Sequence, residues 1–384
     1  MQTSGAAIIG TGFMGSVHAE ALRRINIPIV GVLGSNAEKS RVAAAALKIP
    51  TAYENLTQIL ADPAVTSVHI GTPNRHHFQQ VKRCLEAGKH VLCEKPLSMN
   101  SVESAELVAL AAKYADLATA VNYNIRFYPL CIEAREMISN GELGEVIHIT
   151  GSYTQDWLAK QSDYNWRVLA EEGGPLRAVA DIGTHWFDLV SSLASLKVES
   201  VCADLKTVFD VRTRPAGEVE SFSHTNADPS EVRDVPIDTE DYGAVLLKFK
   251  GGARGTVFVS QVMHGRKNSL RFEIAGANAS LAWNSEQGNE IWIGHRDKSS
   301  ERLIRDPAIM SSSAAEATSY PGGHNEGYGD SFKQSFKAFY NYIDQADWHA
   351  VPPYATFADG HREVLLCEAI LKSQQTQSWV SVGE

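Results

Sequence analysis

Short apolar runs alternate with amphipathic stretches over the first third of the chain. Ala6–Ile9, Ile29–Leu33, Val65–Ile70, Val91–Cys93 and Ala118–Val121 are runs of strand length. Between them His18–Arg24, Glu38–Leu47, Gln79–Ala87 and Val102–Tyr114 have helical character. Strands separated by helices of this length predict βαβ units and a parallel sheet.

After about Val121 the rhythm changes. Glu133–Ser139 reads as a helix, Val146–Thr154 alternates like a strand, and Thr184–Ala194 is an amphipathic helix. Ser200–Thr207, Tyr242–Phe249, Arg254–Val262, Leu270–Ala275, Ala279–Trp283 and Glu290–Ile293 predict a mostly antiparallel sheet, with turn residues such as Lys250-Gly251-Gly252 between them. The polar segment Arg212 to Asp241 carries three prolines and many acids. It reads as a long loop, suited to a lid or an oligomer contact. Ser311–Gly329 is irregular, and helices Phe332–Asp344 and Phe357–Ser373 close the chain. The expected fold is α/β: a parallel-sheet domain over 1–122, and a second α/β domain over 123–384 with a large, open, mostly antiparallel sheet. The final helix is a candidate to pack back on the first domain.

A length of 384 residues agrees with two domains, because one ordinary core rarely grows that large. The net charge of −10, with no basic stripe, argues against a nucleic-acid partner. No apolar run reaches membrane-spanning length and no leader pattern opens the chain, so the expectation is a cytoplasmic protein with no membrane partner. Five scattered cysteines without a C-x-x-C argue against a disulfide framework and against a zinc site, and no metal is expected.

The first chemical motif is Gly10-Thr11-Gly12-Phe13-Met14-Gly15, a G-x-G-x-x-G between a strand and a helix. Gly10 permits the tight turn, Gly12 lets backbone approach a pyrophosphate, and Gly15 allows close helix–strand packing. Phe13 and Met14 lie in the same turn, where the helix N-terminus offers N–H groups to phosphates. The pattern predicts a Rossmann dinucleotide site for NAD(P)(H). The second strand is followed by Gly34-Ser35-Asn36-Ala37-Glu38-Lys39 rather than by an acid. Ser35, Asn36 and Lys39 could read a 2′-phosphate, a slight lean to NADP. Equally, Ser35 and Asn36 could cap the next helix while Lys39 is solvated.

Three further motifs sit where strands or loops end. Thr72-Pro73-Asn74 lies at the carboxyl end of a strand, where a cofactor binds. His77, just beyond, reads either as a cofactor neighbour or as a structural histidine opening a helix. Glu94-Lys95-Pro96 ends the next strand, and Lys95 there could steady a developing alkoxide. Read alone, Lys95 is a surface lysine. Asp181 and His185 are four apart and share a face if the segment is helical. A histidine can serve as general base in alcohol oxidation. Read alone, the pair is a helix-surface contact.

In order and spacing, this set resembles the Gfo/Idh/MocA family, the glucose–fructose oxidoreductase and inositol dehydrogenase group. Asn124-Ile125-Arg126-Phe127-Tyr128-Pro129 and Asp359-Gly360 add to the likeness, which covers nearly the whole chain. The resemblance implies a Rossmann domain followed by an open-sheet domain that often makes homodimer or homotetramer contacts. It implies Lys95 as catalytic lysine, His185 as acid–base residue, and Asp181 as the carboxylate that holds the reacting hydroxyl. Glu94, Asn124, Trp166 and Arg167 match positions near the cofactor. The substrate it implies is a sugar or polyol. Gln155, Asp156 and Trp157, after the strand Val146–Thr154, and the loop residue His324 are candidates to touch that substrate, as are Lys95, Asp181 and His185. Trp157 and Trp166 are equally well read as core or interface aromatics. The implied reaction is hydride transfer between a secondary hydroxyl and a nicotinamide. Two alternatives remain: redox-neutral glycoside cleavage through transient sugar oxidation, and a catalytically silent cofactor-binding regulator.

Overall fold

In the computed structural model, residues 5–215 and 232–383 are described. They fall into two units. The first is Met1–Asn124 with Gly329–Val364, and the second is Ile125–Tyr328 with Leu365–Glu384, each over its described residues.

The first unit alternates strand and helix from its start: β1 (Ala6–Ile9), α1 (Phe13–Arg24), β2 (Ile29–Leu33), α2 (Ala37–Leu47), β3 (Thr51–Tyr53), α3 (Leu56–Ala61), β4 (Ser67–Ile70), α4 (His77–Glu86), β5 (His90–Cys93), α5 (Ser101–Lys113) and β6 (Thr119–Val121). The six strands pair in parallel in the order β3-β2-β1-β4-β5-β6. Every residue of β1 and β4 is buried, the continuous apolar pattern of strands covered on both faces. Asn36, Asn55 and Asn100 cap α2, α3 and α5 by accepting backbone N–H bonds. Each such cap contributes about 1 kcal/mol. The strand order reverses between β1 and β4, and a ligand of such a sheet binds outside the strand ends at that point.

The second unit runs α6 (Pro129–Ser139), β7 (Val146–Thr154), the single turn α7 (Ala170–Gly173), α8 (Thr184–Ala194), β8 (Val198–Lys206), β9 (Val211–Pro215), β10 (Val232–Pro236), β11 (Tyr242–Phe249), β12 (Arg254–Ser260), β13 (Ser269–Gly276), β14 (Ser280–Asn284), β15 (Glu290–Gly294), β16 (Glu301–Ile304) and α9 (Ser312–Glu316). Helix α10 (Tyr328–Gln345) lies almost wholly in the first unit, α11 (Phe357–Thr376) spans both segments after it, and β17 (Val380–Ser381) ends the described chain. Nine strands form one sheet in the order β16-β15-β14-β13-β7-β12-β11-β8-β17. Only β7 and β12 pair in parallel. Val245, Leu247, Val257, Val259, Leu270, Phe272 and Ile274 point to the core, while Leu246, Phe258 and Trp292 are exposed on the other face. Helix α8 is seated on the inner face through Trp186, whose indole N–H donates to the Arg271 carbonyl at 2.9 Å. Gly151 on β7 makes the room: a Cβ there would lie 2.3 Å from the Trp186 indole nitrogen.

The structure differs from the sequence reading in a few places. β3 and α3 were not expected, because three and six residues are too short to display a period. β16 and β17 were not expected either, for the same reason. The expected loop from Arg212 to Asp241 is corrected at both ends: β9 and β10 pair antiparallel, and Arg212, Glu240 and Asp241 are buried. Its centre, 216–231, lies outside the described residues. Residues 329–364 group with the first unit, where Ser331 accepts a hydrogen bond from the buried Asn124 amide at 2.7 Å.

Candidate active site

On the first unit, the loop after β1 turns at Gly10, whose φ is +112°. A Cβ at Gly10 would strike the Gly71 carbonyl oxygen at 2.5 Å, and one at Gly15 would strike the Gly10 carbonyl oxygen at 2.2 Å. A Cβ at Gly12 would meet nothing within 4 Å. The backbone is therefore packed tight on two glycines and open at the third. No side chain caps α1, and its first turn carries no acid. The N–H groups and positive dipole end of α1 thus suit a dinucleotide pyrophosphate. Phe13 is exposed beside this opening. Beyond β2, Asn36 Oδ1 is taken up by the Lys39 N–H at 2.8 Å, so that side chain serves as the helix cap. Ser35 is exposed and Lys39 half-buried.

The loops after β4 and β5 are joined by His77. Its Nδ1 lies 2.7 Å from the Pro96 carbonyl oxygen and its Nε2 lies 2.9 Å from that of Thr72. Burial lowers the His77 pKa, against the pull of those two carbonyls. His77 is therefore a clamp between the Thr72-Pro73-Asn74 and Glu94-Lys95-Pro96 loops, and its ring nitrogens are occupied by backbone rather than presented to a cofactor. The Thr72 hydroxyl donates to Gln80 at 2.7 Å. Asn74 opens a single 3-10 turn, and Lys95, half-buried, precedes a cis proline.

Glu94 points inward. It is 6% exposed, and its Oε1 accepts from His18 Nε2 at 3.0 Å and from Asn122 Nδ2 at 2.5 Å. Burial acts to raise the Glu94 carboxyl, but these bonds and the Lys95 charge outweigh it and hold the group below its usual range. Behind His18 stands a buried chain. His18 Nδ1 lies 3.1 Å from His69 Nδ1, His69 Nε2 lies 2.9 Å from the Tyr340 hydroxyl, and that hydroxyl lies 2.8 Å from Ser67 Oγ. Burial keeps the His69 imidazole well below its ordinary pKa. A carboxylate only accepts, so the His18 ring donates to Glu94.

On the second unit, Asp181 lies in a π-helical turn, Val179–Gly183, that runs straight into α8 and His185. The segment is helical, as the shared face of Asp181 and His185 requires, but its first part is a π-turn rather than a regular α-helix, a form common at functional sites. Asp181 Oδ2 accepts from Gln261 Nε2 at 2.8 Å, and Oδ1 lies 3.4 Å from Arg167 Nε. The Arg167 guanidinium rests over the Trp166 ring, 4.5 Å from its centre. The His185 ring meets that of Tyr153 edge-on, with 6.2 Å between centres. Asn268 Oδ1 accepts from the Tyr153 hydroxyl at 2.7 Å and from Gln155 Nε2 at 2.8 Å. Gln155 is 1% exposed, and its Oε1 has no hydrogen-bond partner among the described residues. Arg126 grips Asp188 with two bonds of 2.7 and 2.5 Å, anchoring α8 a turn beyond His185.

The second unit thus gathers Trp166, Arg167, Asp181 and Gln261 into one contact group, and His185, Tyr153, Asn268 and Gln155 into another. Trp157 is 36% exposed. Asp156 is engaged by Lys267 at 2.6 Å. His324 is exposed, in a loop whose carbonyls at Tyr320, Pro321 and His324 are held by the buried Arg305, itself paired with Glu326 at 3.0 Å. Gln261, Tyr153 and Asn268 were not singled out in the sequence. Tyr153 lies near the end of β7, Gln261 just past β12 and Asn268 just before β13, and none carries a motif. Among the described residues, no three His, Cys, Asp or Glu side chains are arranged to hold a metal, and no helix is long and apolar enough to cross a membrane.

Residues 5–123 match the model of the oxidoreductase family with an NAD-binding Rossmann fold, and residues 131–282 match the GFO/IDH/MocA C-terminal domain. Levoglucosan dehydrogenase of Pseudarthrobacter phenanthrenivorans is 30% identical over 403 residues, covering 100% of this chain and 99% of that protein. Myo-inositol 2-dehydrogenase of Thermotoga maritima is 26% identical, covering 98% of each. A solved structure of levoglucosan dehydrogenase in complex with NADH and levoglucosan superposes with a TM-score of 0.88 at 27% identity, covering 99% of each chain.

Proposed function

Because the chain belongs to the Gfo/Idh/MocA oxidoreductase family, we propose that it is a nicotinamide-dependent dehydrogenase of a sugar, anhydrosugar or polyol, acting on a secondary CH–OH. One observation carries the reading. The Asp181 carboxylate is held between Arg167 and Gln261 one turn before His185, in a chain similar end to end to a levoglucosan dehydrogenase.

NAD(H), when bound, supplies the acceptor or donor of the hydride. The chain's own residues do the rest. The α1 N-terminus and the Gly12 opening receive the pyrophosphate. His185 takes the hydroxyl proton as general base, or returns it in the reverse direction. Lys95 donates to the same oxygen and steadies its growing negative charge, and Asp181 shares the substrate's hydroxyl network and helps fix its direction. Gln155, with its buried Oε1, and Trp157, with its exposed ring, bind further hydroxyls and the C–H face of the sugar. Glu94, Asn124, Trp166 and Arg167 shape the surroundings of the nicotinamide end, Glu94 from the interior.

No acid directly follows β2, so the position that usually repels a 2′-phosphate is not acidic. Ser35 and Lys39 support use of NADP(H) beside NAD(H), while Asn36, spent on the helix cap, weakens the lean to NADP. The exposed Leu246, Phe258 and Trp292 on the open face of the nine-stranded sheet support a homodimer or homotetramer built on that face. Five free cysteines agree with a cytoplasmic setting.

The test is reduced-nicotinamide absorbance with NAD⁺ or NADP⁺ and panels of anhydrosugars, inositols and simple sugars, run on wild type, Lys95→Ala and His185→Ala. The proposal expects net reduction with at least one panel and its loss in both variants. Cofactor binding without reduction on any panel overturns it, and release of an aglycone without net reduction points instead to redox-neutral glycoside cleavage.

A further inference from the structure

Gln261 sits one residue past β12, 2% exposed, and spans two charged groups. Its Nε2 donates to Asp181 Oδ2 at 2.8 Å, while its Oε1 accepts from Arg177 Nη1 at 3.3 Å. A glutamine amide can be turned either way, and the wrong turn would set its oxygen against the Asp181 carboxylate. A guanidinium carries donors only, so Arg177 fixes the turn. Arg177 is itself buried and held by further bonds. Its Nε donates to Thr239 Oγ1 at 3.2 Å and its Nη2 to Asp241 Oδ1.

Asp241 is the hub behind it. Its Oδ1 also accepts from Arg212 Nη2 at 2.7 Å, and its Oδ2 accepts the N–H groups of Val208 and Phe209 at 2.7 and 3.1 Å. The side chains of Arg177, Arg212 and Asp241 are each 0% exposed. Arg212, on β9, also donates to the carbonyls of Leu158, Lys160 and Asp163, the segment that follows Trp157. A buried ionic cluster of this kind gives little net stability over apolar packing of the same volume. What it does give is a fixed direction for each polar atom along the line Arg212–Asp241–Arg177–Gln261–Asp181.

We propose that Gln261 is a positioning residue for the reaction, and that the buried Arg177 and Asp241 aim it. By presenting one N–H to Asp181, Gln261 keeps that carboxylate an acceptor and holds its plane toward the substrate hydroxyl. Arg167 and Gln261 face Asp181 directly, the Tyr153 hydroxyl is electrostatically coupled to it, and Arg177 stands behind Gln261. The proposal rests on the reading of Asp181 as the carboxylate that holds the reacting hydroxyl.

The test compares wild type, Gln261→Leu and Gln261→Glu. It uses the polyol or anhydrosugar that wild type turns over best. It measures kcat and KM across pH, with NADH affinity followed by fluorescence. Gln261→Leu is expected to lower kcat/KM about 10²-fold, the scale of an ångström-level misplacement, with NADH affinity unchanged. Gln261→Glu sets a second carboxylate against Asp181 and is expected to move the acid limb of the kcat/KM profile to higher pH, because neighbouring carboxylates resist joint ionisation. This near-isosteric variant carries the test if the leucine variant fails to fold. A wild-type profile and rate in both variants overturns the positioning role while leaving the dehydrogenase reading intact. So does lower thermal stability with no change in profile. A wild type that turns over no polyol overturns the dehydrogenase reading, and this role with it.

Discussion

His18 and Glu94 meet across 3.0 Å in an interior that shields both, with the carboxylate one residue before Lys95. His18 stands in α1, a few residues past the glycine loop, and Glu94 ends the turn out of β5. One contact therefore ties the cofactor cradle to the strand end that presents the lysine. His18→Leu strips a donor from a buried carboxylate and should cost about 3 kcal/mol of stability. His18→Gln keeps a donor and should cost less. Urea unfolding of the two variants measures the difference, and equal losses would show that the hydrogen bond contributes nothing beyond packing.

Gly12 separates cofactor binding from folding. A Cβ there meets no protein atom, and its φ of −80° is ordinary for any residue. Gly12→Val should leave the thermal midpoint near that of wild type. Its branched side chain should weaken NADH binding by tenfold or more, a loss of at least about 1.4 kcal/mol. Gly10→Ala should instead destabilise the first unit, since its φ of +112° and the Gly71 carbonyl both reject a side chain. Calorimetry and NADH titration of both variants check the contrast.

Glu240 gives a pH dependence of defined sign. Its carboxylate receives the N–H groups of Arg177 and Val179 just ahead of the π-turn, yet burial pushes its pKa from 4.5 up to about 7. A carboxyl raised on folding binds its proton more readily in the native state. Its contribution is present in full below the unfolded value and is lost as pH rises from about 4.5 to about 7. The depressed imidazoles of His69 and His77 act oppositely, removing stability as pH falls below 6.5. The difference in unfolding free energy between wild type and Glu240→Gln isolates the first effect. It should decline across that window and stay flat above it, whereas a pH-independent difference would refute the assignment.

Ser35→Asp places close behind β2 the acid that this position lacks. It should accept a bond from a 2′-hydroxyl and repel a 2′-phosphate, raising the ratio of NAD⁺ to NADP⁺ efficiency by about tenfold or more. Steady-state kinetics with both cofactors reads the ratio directly. An unchanged ratio would mean that the ribose is read elsewhere.

The parts of this protein legible in its sequence are those written locally. The glycine loop, the strand ends at Thr72 and Lys95, and the strands of the large sheet follow from residue type and period over a few positions. Tyr242–Phe249 alternates plainly because one of its faces is buried. The ribbon of β9 and β10 was hidden because Val-Arg-Thr-Arg-Pro and Val-Arg-Asp-Val-Pro look like polar loop. The Asp181–His185 spacing was visible, but the π-turn was not, since nothing in the side chains announces an extra residue in a helical turn. Gln261 was invisible for a different reason. It bonds a carboxylate 80 positions away, and the arginine beside it has partners 62 and 64 positions from itself.

The central claim is that a carbon-bound hydrogen of a sugar or polyol passes to the nicotinamide, with Lys95, Asp181 and His185 handling the oxygen. The most direct measurement is mass spectrometry of the cofactor after incubation with NAD⁺ and ring-deuterated myo-inositol, glucose and levoglucosan. The account predicts reduced cofactor carrying one deuterium from at least one of these substrates, and its near absence with Lys95→Ala and His185→Ala. Reduced cofactor without deuterium, no reduction with any substrate, or equal labelling in the variants would contradict it.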